Sequence, residues 1–292
     1  MITREAAFLA GMPNLSLCGL SENWLLKECG NQHWLALADL FGLALPAFKA
    51  QDGSPVYAAF VAVKLADAHL QLIDENDRFT IETHLAPAGR ARFFSTHRVL
   101  CNGRECARVE MLSTQVSRRE AGNNQSVTRT ELPAALSANS YRDDLLRLKA
   151  KAITLSESTK QFRAEQWQEW HELKPDRSST LPGIVHHPCP HNDFNGADFL
   201  YFANFQAAAD RAEWAWNRNR QLWQTCDRQL NYYGNINIGD ALHLEFSTLK
   251  SDARHLIHWL TVRRDSDGSK IADILTRKQR LSSTEYRWAN RG

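Results

Sequence analysis

The sequence predicts an α+β protein made of two copies of one unit, a long helix followed by an antiparallel meander. Three observations carry that prediction. The chain has 292 residues, enough for two domains. In each half, helix-period apolar spacing comes first and strand-period alternation follows it. Turn residues then punctuate the two halves in the same order, with about ten residues extra in the first.

The second half is the clearer copy. Asn192-Asp193-Phe194-Asn195-Gly196 is a turn-rich entry to a helix expected over residues 198–217. There Phe199, Phe202, Phe205, Ala209 and Ala212 recur at steps of three or four, the spacing of one helix face. Strands are expected over 230–233, ended by Gly234-Asn235, and over 242–246 after Gly239-Asp240. Two more, 256–263 and 271–276, flank the hairpin signal Ser266-Asp267-Gly268. In the first half, Ser21 is the expected N-cap of a helix through Trp24, Leu25, Leu35 and Leu37. Gly30-Asn31 is expected to break that helix midway. Strands follow over 56–63, 79–82 and 92–100, the last leading into an Asn102-Gly103 hairpin. The first residues read as a short mixed segment. Between the copies the composition turns polar and charged, which predicts a long connection with one or two helices of its own. The expected division is 1–117, 118–182 and 183–292.

Composition narrows the class. The chain is 43% hydrophobic and 23% charged, as a globular protein with a large core requires. Thirty-five Lys and Arg against 33 Asp and Glu leave a net charge of +2, which demands no nucleic-acid partner. No apolar run approaches the ~20 residues of a membrane span, and no signal-peptide core follows Met1. Six cysteines contain no CxxC pair, so free thiols and a cytoplasmic location are expected. His186-His187-Pro188-Cys189-Pro190-His191 has no second ligand pair at zinc spacing, so no metal is expected. The absence of GxGxxG and GxxxxGK[ST] argues against dinucleotide and P-loop phosphate sites.

A helix wrapped by a curved antiparallel sheet is a hot-dog domain, and two in one chain make a double hot-dog with the sheets paired edge to edge. That fold hosts several chemistries on acyl thioesters, so it narrows the substrate more than the reaction. The Asn192–Gly196 entry with Tyr201 and Phe205 resembles the helix entry of hot-dog acyl-CoA thioesterases. It departs where those enzymes carry His-Val-Asn-Asn after the glycine, because Ala197-Asp198-Phe199-Leu200 stands here. The departure argues against simple thioesterase chemistry at Asp193. Over nearly the whole chain the sequence is similar to double hot-dog biosynthesis proteins typified by the leinamycin-pathway acyltransferase/decarboxylase. Val56-Tyr57-Ala58-Ala59-Phe60 and Thr96-His97-Arg98-Val99 carry the resemblance, supported by Leu200-Tyr201-Phe202-Ala203-Asn204-Phe205.

That resemblance implies an acyl-tyrosine at Tyr57, formed from methylmalonyl-CoA or another malonyl-type CoA. Decarboxylation and transfer to the phosphopantetheine thiol of an acyl carrier protein would follow, for polyketide assembly. Acyl-CoA and a carrier protein are the expected partners, with no nucleic acid, membrane or resident cofactor, in a monomer or homodimer. A phenol of reference pKa ~10 is a poor nucleophile at neutral pH, so Tyr57 needs a base or positive field, for which His97 is the candidate. The enolate left by decarboxylation needs donors at the thioester oxygen, for which Asn195, the backbone at Gly196 and Thr96 are candidates. Asp193, Arg263 and Lys270 complete the expected substrate-binding set, the two cations by reaching coenzyme A phosphates or an acidic carrier protein. Each has a plainer reading. Tyr57 fits a packing position, His97 a structural histidine, Asn195-Gly196 a turn, Asp193 a helix cap, and the basic run a solvated face. Two rivals stand beside the transferase. One is a thioesterase or dehydratase using Asp193 or Asn195, the other a non-catalytic docking protein.

Overall fold

The structure is a computed structural model that describes residues 1–132, 142–218 and 222–281. The first copy contains β1 (Ile2–Leu9), the short pair β2 (Leu15–Ser16) and β3 (Gly19–Leu20), and helix α1 (Glu22–Phe41). Strands β4 (Tyr57–Ala66), β5 (Arg78–Pro87), β6 (Arg92–Cys101) and β7 (Arg104–Arg118) follow. The connection holds β8 (Val127–Arg129) and α2 (Arg142–Arg163). The second copy contains β9 (Ile184–His186), α3 (Pro190–Asp193), α4 (Phe202–Trp216), β10 (Trp223–Tyr232), β11 (Leu242–Ser251), β12 (His255–Arg264) and β13 (Lys270–Arg280).

The sheet order makes the repeat explicit. It runs β1-β5-β6-β7-β4-β10-β13-β12-β11-β9, with β8 paired to β7. From either edge the same order of parts leads to the centre. There β4 and β10 pair antiparallel from Leu65↔Arg228 to Ala62↔Asn231. The chain is therefore an α+β double hot-dog. The Asn102-Gly103 hairpin forms as expected, both residues at positive φ between paired Cys101 and Arg104. Strand β1 was not anticipated, although its side chains alternate between half-buried and exposed along its whole length.

Helix α1 starts where expected, with the Ser21 hydroxyl accepting from Trp24 N at 3.3 Å. It ends at Gly42, whose φ of 68° suits a residue without Cβ. The expected break at Gly30-Asn31 does not occur. Gly30 is instead a contact point, since a Cβ there would lie 2.8 Å from Phe202 Cε1. Tertiary packing has overridden helix propensity at that position.

Helices α1 and α4 lie on the inner face of the sheet. Asn23 Nδ2 of α1 donates to Ala203 O of α4 at 2.8 Å, and one apolar cluster joins Leu25 and Leu26 to Phe205, Ala208 and Ala212. The outer face is covered by the connection. Leu148, Ala152 and Leu155 of α2 pack on Ala62, Ala86, Phe94 and Leu112, and Phe162, Trp167 and Leu173 pack on Ile257, Trp259 and Leu275. Among the described residues no helix is long and apolar enough to cross a membrane.

The tightest turn is Gly19, at φ +92°, where an added Cβ would stand 2.3 Å from Leu70 O. Gly19→Ala combines a left-handed backbone with a clash against main chain, and is expected to destabilise by ~2 kcal/mol or more. Thermal unfolding checks this, and an unchanged midpoint would refute it.

Candidate active site at the seam

Strands β4 and β10 pair over only four residues each. Beyond them, toward the start of β4 and the end of β10, the two sheets part. A cavity of about 980 Å³ opens there, walled by residues 57–61 on one side and 232–235 on the other. A register shift between Phe60 and Ala62 in the β4–β7 pairing lies along this wall. The inner floor is aromatic. Phe60 and Phe202 approach to 4.4 Å between ring centroids, and Phe205 meets Tyr232 at 5.3 Å.

One rim is the loop before α4, shaped by Asn195. Its Oδ1 accepts from Ala197 N at 3.0 Å and Phe199 N at 3.2 Å, turning the chain through Asp198 at φ 59°. Asn124 in the connection ties this loop to the end of β10, donating to Asp198 O at 2.6 Å and Ile236 O at 2.7 Å.

Tyr57 is half-buried in the wall, with its ring edge-on to Phe199 at 5.7 Å. Its hydroxyl has no hydrogen-bond partner among the described residues. Arg118 lies over the opposite partner, 4.4 Å from the Phe199 centroid. Tyr57 pairs with Val116, so Arg118 is a diagonal neighbour on the same face of the sheet. Its Nη2 donates to Asn124 Oδ1 and Ala197 O, each at 2.6 Å, so no carboxylate cancels its charge. Sequence reasoning missed Arg118, because no local pattern reports a diagonal neighbour across two strands.

The lining is chemically selective: it contains no Asp, Glu, Cys or Lys. Its other tyrosines are poor nucleophiles. Burial pushes the Tyr201 phenol up to about 12, and the Glu28 charge adds to this. Tyr232 is held well above the phenol range, again by burial, and donates to Phe202 O at 3.0 Å. Tyr233 is raised by burial and by Asp273, to whose Oδ2 it donates at 2.7 Å.

The one lining histidine is His33, and it is locked in a buried chain. Ser113 Oγ lies 2.8 Å from His33 Nε2, and Ser95 Oγ lies 2.7 Å from His33 Nδ1 and 2.8 Å from His97 Nε2. Thr83 Oγ1 closes the chain, 2.8 Å from His97 Nδ1. Both rings are fully buried. Burial lowers His33 to about 3, and burial followed by the His33 and His84 charges holds His97 well below the imidazole range.

The structure thus does not bring His97 to Tyr57. His97 sits opposite Val109 on β7 whereas Tyr57 sits opposite Val116, about 23 Å further along that strand at ~3.3 Å per residue. Thr96 points to the outer face, sharing strand parity with Phe94 under α2, and so does not face the His97 side. Asn195 and Gly196 do line the cavity with Tyr57. Asp193 does not, being buried with Oδ2 accepting from Cys189 N at 2.7 Å, the work of a cap. Arg263 stays on the last hairpin, donating to Gly268 O at 3.1 Å. Lys270 is held on the outer face by Asp273 at 2.8 Å and Glu165 at 3.2 Å. The basic run is not one solvated face either. Strand alternation sends Lys278 inward and Arg277 outward, and Lys278 is 7% exposed.

No protein-family model and no curated protein matches the chain. Solved structures do. An acyl-ACP thioesterase from Bacteroides thetaiotaomicron is similar with a TM-score of 0.60 and 11% identity, over 94% of this chain and 97% of that one. The 12:0-ACP thioesterase from Umbellularia californica is similar with a TM-score of 0.63 and 10% identity, over 96% and 98%. At such identities the likeness is one of fold. The chain has the double hot-dog architecture of these proteins along nearly its whole length, with a cavity of about 980 Å³ at the seam between the two copies.

Proposed function

We propose that this protein acts on acyl thioesters in the seam cavity, as an acyltransferase/decarboxylase with Tyr57 as covalent acyl carrier. The observation that carries the reading is the elimination within the lining. There is no carboxylate or thiol, the single imidazole is spent on two serines, and three of four phenols are held up by burial. Tyr57 keeps an uncommitted hydroxyl beside the unneutralised field of Arg118. In the first step the Tyr57 oxygen attacks the thioester carbonyl, the C–S bond breaks, and the thiol leaves with the phenol proton. Loss of carbon dioxide from a malonyl-type acyl group leaves an ester enolate, which takes one proton at carbon. Asn195 supports this step: its Oδ1 is spent on the loop, and its amide N–H groups are uncommitted among the described residues and so free for the carbonyl oxygen. Attack by a carrier-protein thiol then releases the acyl group and restores the phenol.

Hydrolysis is the second reading, favoured by what the similar solved structures are called. Intact mass separates the two. After incubation with methylmalonyl-CoA or malonyl-CoA, the protein is expected to gain a propionyl- or acetyl-sized adduct, and Tyr57→Phe none. Transfer by the variant is expected to fall by at least about a thousandfold. Free acid released equally by both proteins, without an adduct, would overturn the Tyr57 role.

A further inference from the structure

Several arginines among the described residues have carboxylate partners. Arg98, Arg108, Arg177, Arg228, Arg264 and Arg277 all bridge to one. Three that line the seam cavity do not: Arg92, Arg129 and Arg163 have no carboxylate partner among the described residues. They come from three distant segments, the start of β6, the end of β8 and the end of α2. Arg92 and Arg129 are close enough that the Arg129 charge adds to burial in lowering the basicity of Arg92. Arg92 Nη1 donates to Ser156 Oγ at 3.0 Å, while its Nε is buried without a partner. Arg163 sits over the Tyr233 ring at 5.4 Å. Like charges gathered at one opening and left unneutralised fit an anion.

Their side of the sheet gives the ligand its shape. Arg92 shares strand parity with Phe94 beneath α2, and Arg163 ends α2, so the cations belong to the outer face. His33, Phe202 and Phe205 belong to the inner face, with α1 and α4. The cavity joins the two through the seam. A fitting molecule carries phosphate at one end, a neutral polar arm through the slot, and a short acyl group at the end toward the aromatic floor. We propose that Arg92, Arg129 and Arg163 form a phosphate clamp for a phosphorylated pantetheine thioester, which enters from the α2 side. This rests on the reading of the cavity as a thioester site. It gives the connection between the copies a binding role, because two of the three arginines belong to it.

The test is calorimetric titration of the parent protein with coenzyme A, dephospho-coenzyme A and pantetheine. Coenzyme A is expected to bind at least about tenfold more tightly than pantetheine, with the gap closing as salt rises. Arg92→Gln, Arg129→Gln and Arg163→Gln are each expected to weaken coenzyme A about tenfold and leave pantetheine unchanged, with partial recovery in the lysine variants. Dephospho-coenzyme A matching coenzyme A would support a clamp on the diphosphate, chemistry that the phosphodiester of a carrier-protein arm shares. Dephospho-coenzyme A falling to the level of pantetheine would support a clamp on the 3′-phosphate, found only in free coenzyme A. Equal binding of coenzyme A and pantetheine by the parent, or coenzyme A affinity unmoved in all three glutamine variants, would overturn the clamp. Repeating the series on Tyr57→Phe keeps the two readings apart. A phosphate preference without any adduct on the parent removes Tyr57 and leaves the clamp, whereas an adduct without the preference removes the clamp alone.

Discussion

Between pH 7.5 and pH 5.5 the protein is expected to lose about 2–3 kcal/mol of folding stability, with His33 and His97 as the main source. Both imidazoles are fully buried, and every ring nitrogen faces a hydroxyl 2.7–2.8 Å away. The folded state therefore binds protons only far into acid, near pH 3 for His33 and well below the imidazole range for His97. The unfolded chain binds them near the reference pKa of ~6.5. The sign follows from this difference. Above pH ~6.5 neither state is protonated at these residues and their contribution is intact. As pH falls below that, the unfolded state gains protons that the folded state refuses, at about 1.4 kcal/mol per pH unit for each histidine. The loss continues toward the folded values, and about 5 kcal/mol per histidine is the order of the full effect for a shift such as that of His33. Urea unfolding of the parent and of His97→Gln at the two pH values checks it. The variant is expected to be less stable at pH 7.5 but to lose only about half as much on acidification. A parent stability that is flat across this interval would refute the assignment.

The repeat was legible in the sequence because turn chemistry and period are local. Asn102-Gly103, Ser266-Asp267-Gly268 and the Ser21 cap each act within a few residues, and each forms as expected. What failed was long-range. Gly30 reads as a helix breaker until Phe202 of the other copy is known to pack on it. His97 and Tyr57 read as neighbours because they share a sheet, yet pairing register separates them along β7. The candidate site divides in the same way. Tyr57, Asn195 and Gly196 were found from short motifs and do line one cavity. Arg92, Arg129 and Arg163 line it too and were not found, since pairing register and the folded connection, not a local motif, bring them there.

The two copies have also diverged at matching places. His33 and Glu213 stand at the same position counted from the starts of α1 and α4, and each reaches toward a histidine on the third meander strand of its copy. In the first copy the link is a neutral hydroxyl chain. In the second it is part of an ion cluster that borders a smaller cavity of about 310 Å³, lined by Glu22, Asp210 and Lys278. The larger cavity has no carboxylate in its lining and the smaller has two. Matching positions in the two copies thus border opposite surroundings, one lining free of carboxylates and one holding Glu22 and Asp210 beside Lys278.

Arg228→Met is expected to destabilise the protein by about 3–5 kcal/mol, because that ion cluster straddles the joint between the copies. Arg228 is fully buried on β10, opposite Leu65 of β4. Its Nε lies 2.7 Å from Glu22 of α1, and its Nη2 lies 2.7 Å from Asp210 of α4. Lys278 holds Asp210 at 3.0 Å and Glu213 at 2.9 Å, and His258 meets Glu213 at 3.0 Å. Burial lowers His258 although Glu213 opposes it, so three carboxylates face two permanent cations. Glu22 carries the excess: burial raises it despite Arg228, and Asp210 pushes the same way. Removing Arg228 strips Glu22 of its cation and leaves Asp210 to Lys278 alone. Glu22→Gln in the same protein relieves part of that excess, so the double variant is expected to be more stable than Arg228→Met by itself. Urea midpoints of the parent, both single variants and the double variant measure the coupling. A loss under about 1 kcal/mol for Arg228→Met, or a double variant no better than the sum of its parts, would show that burial of the seam holds the copies together without the ion cluster.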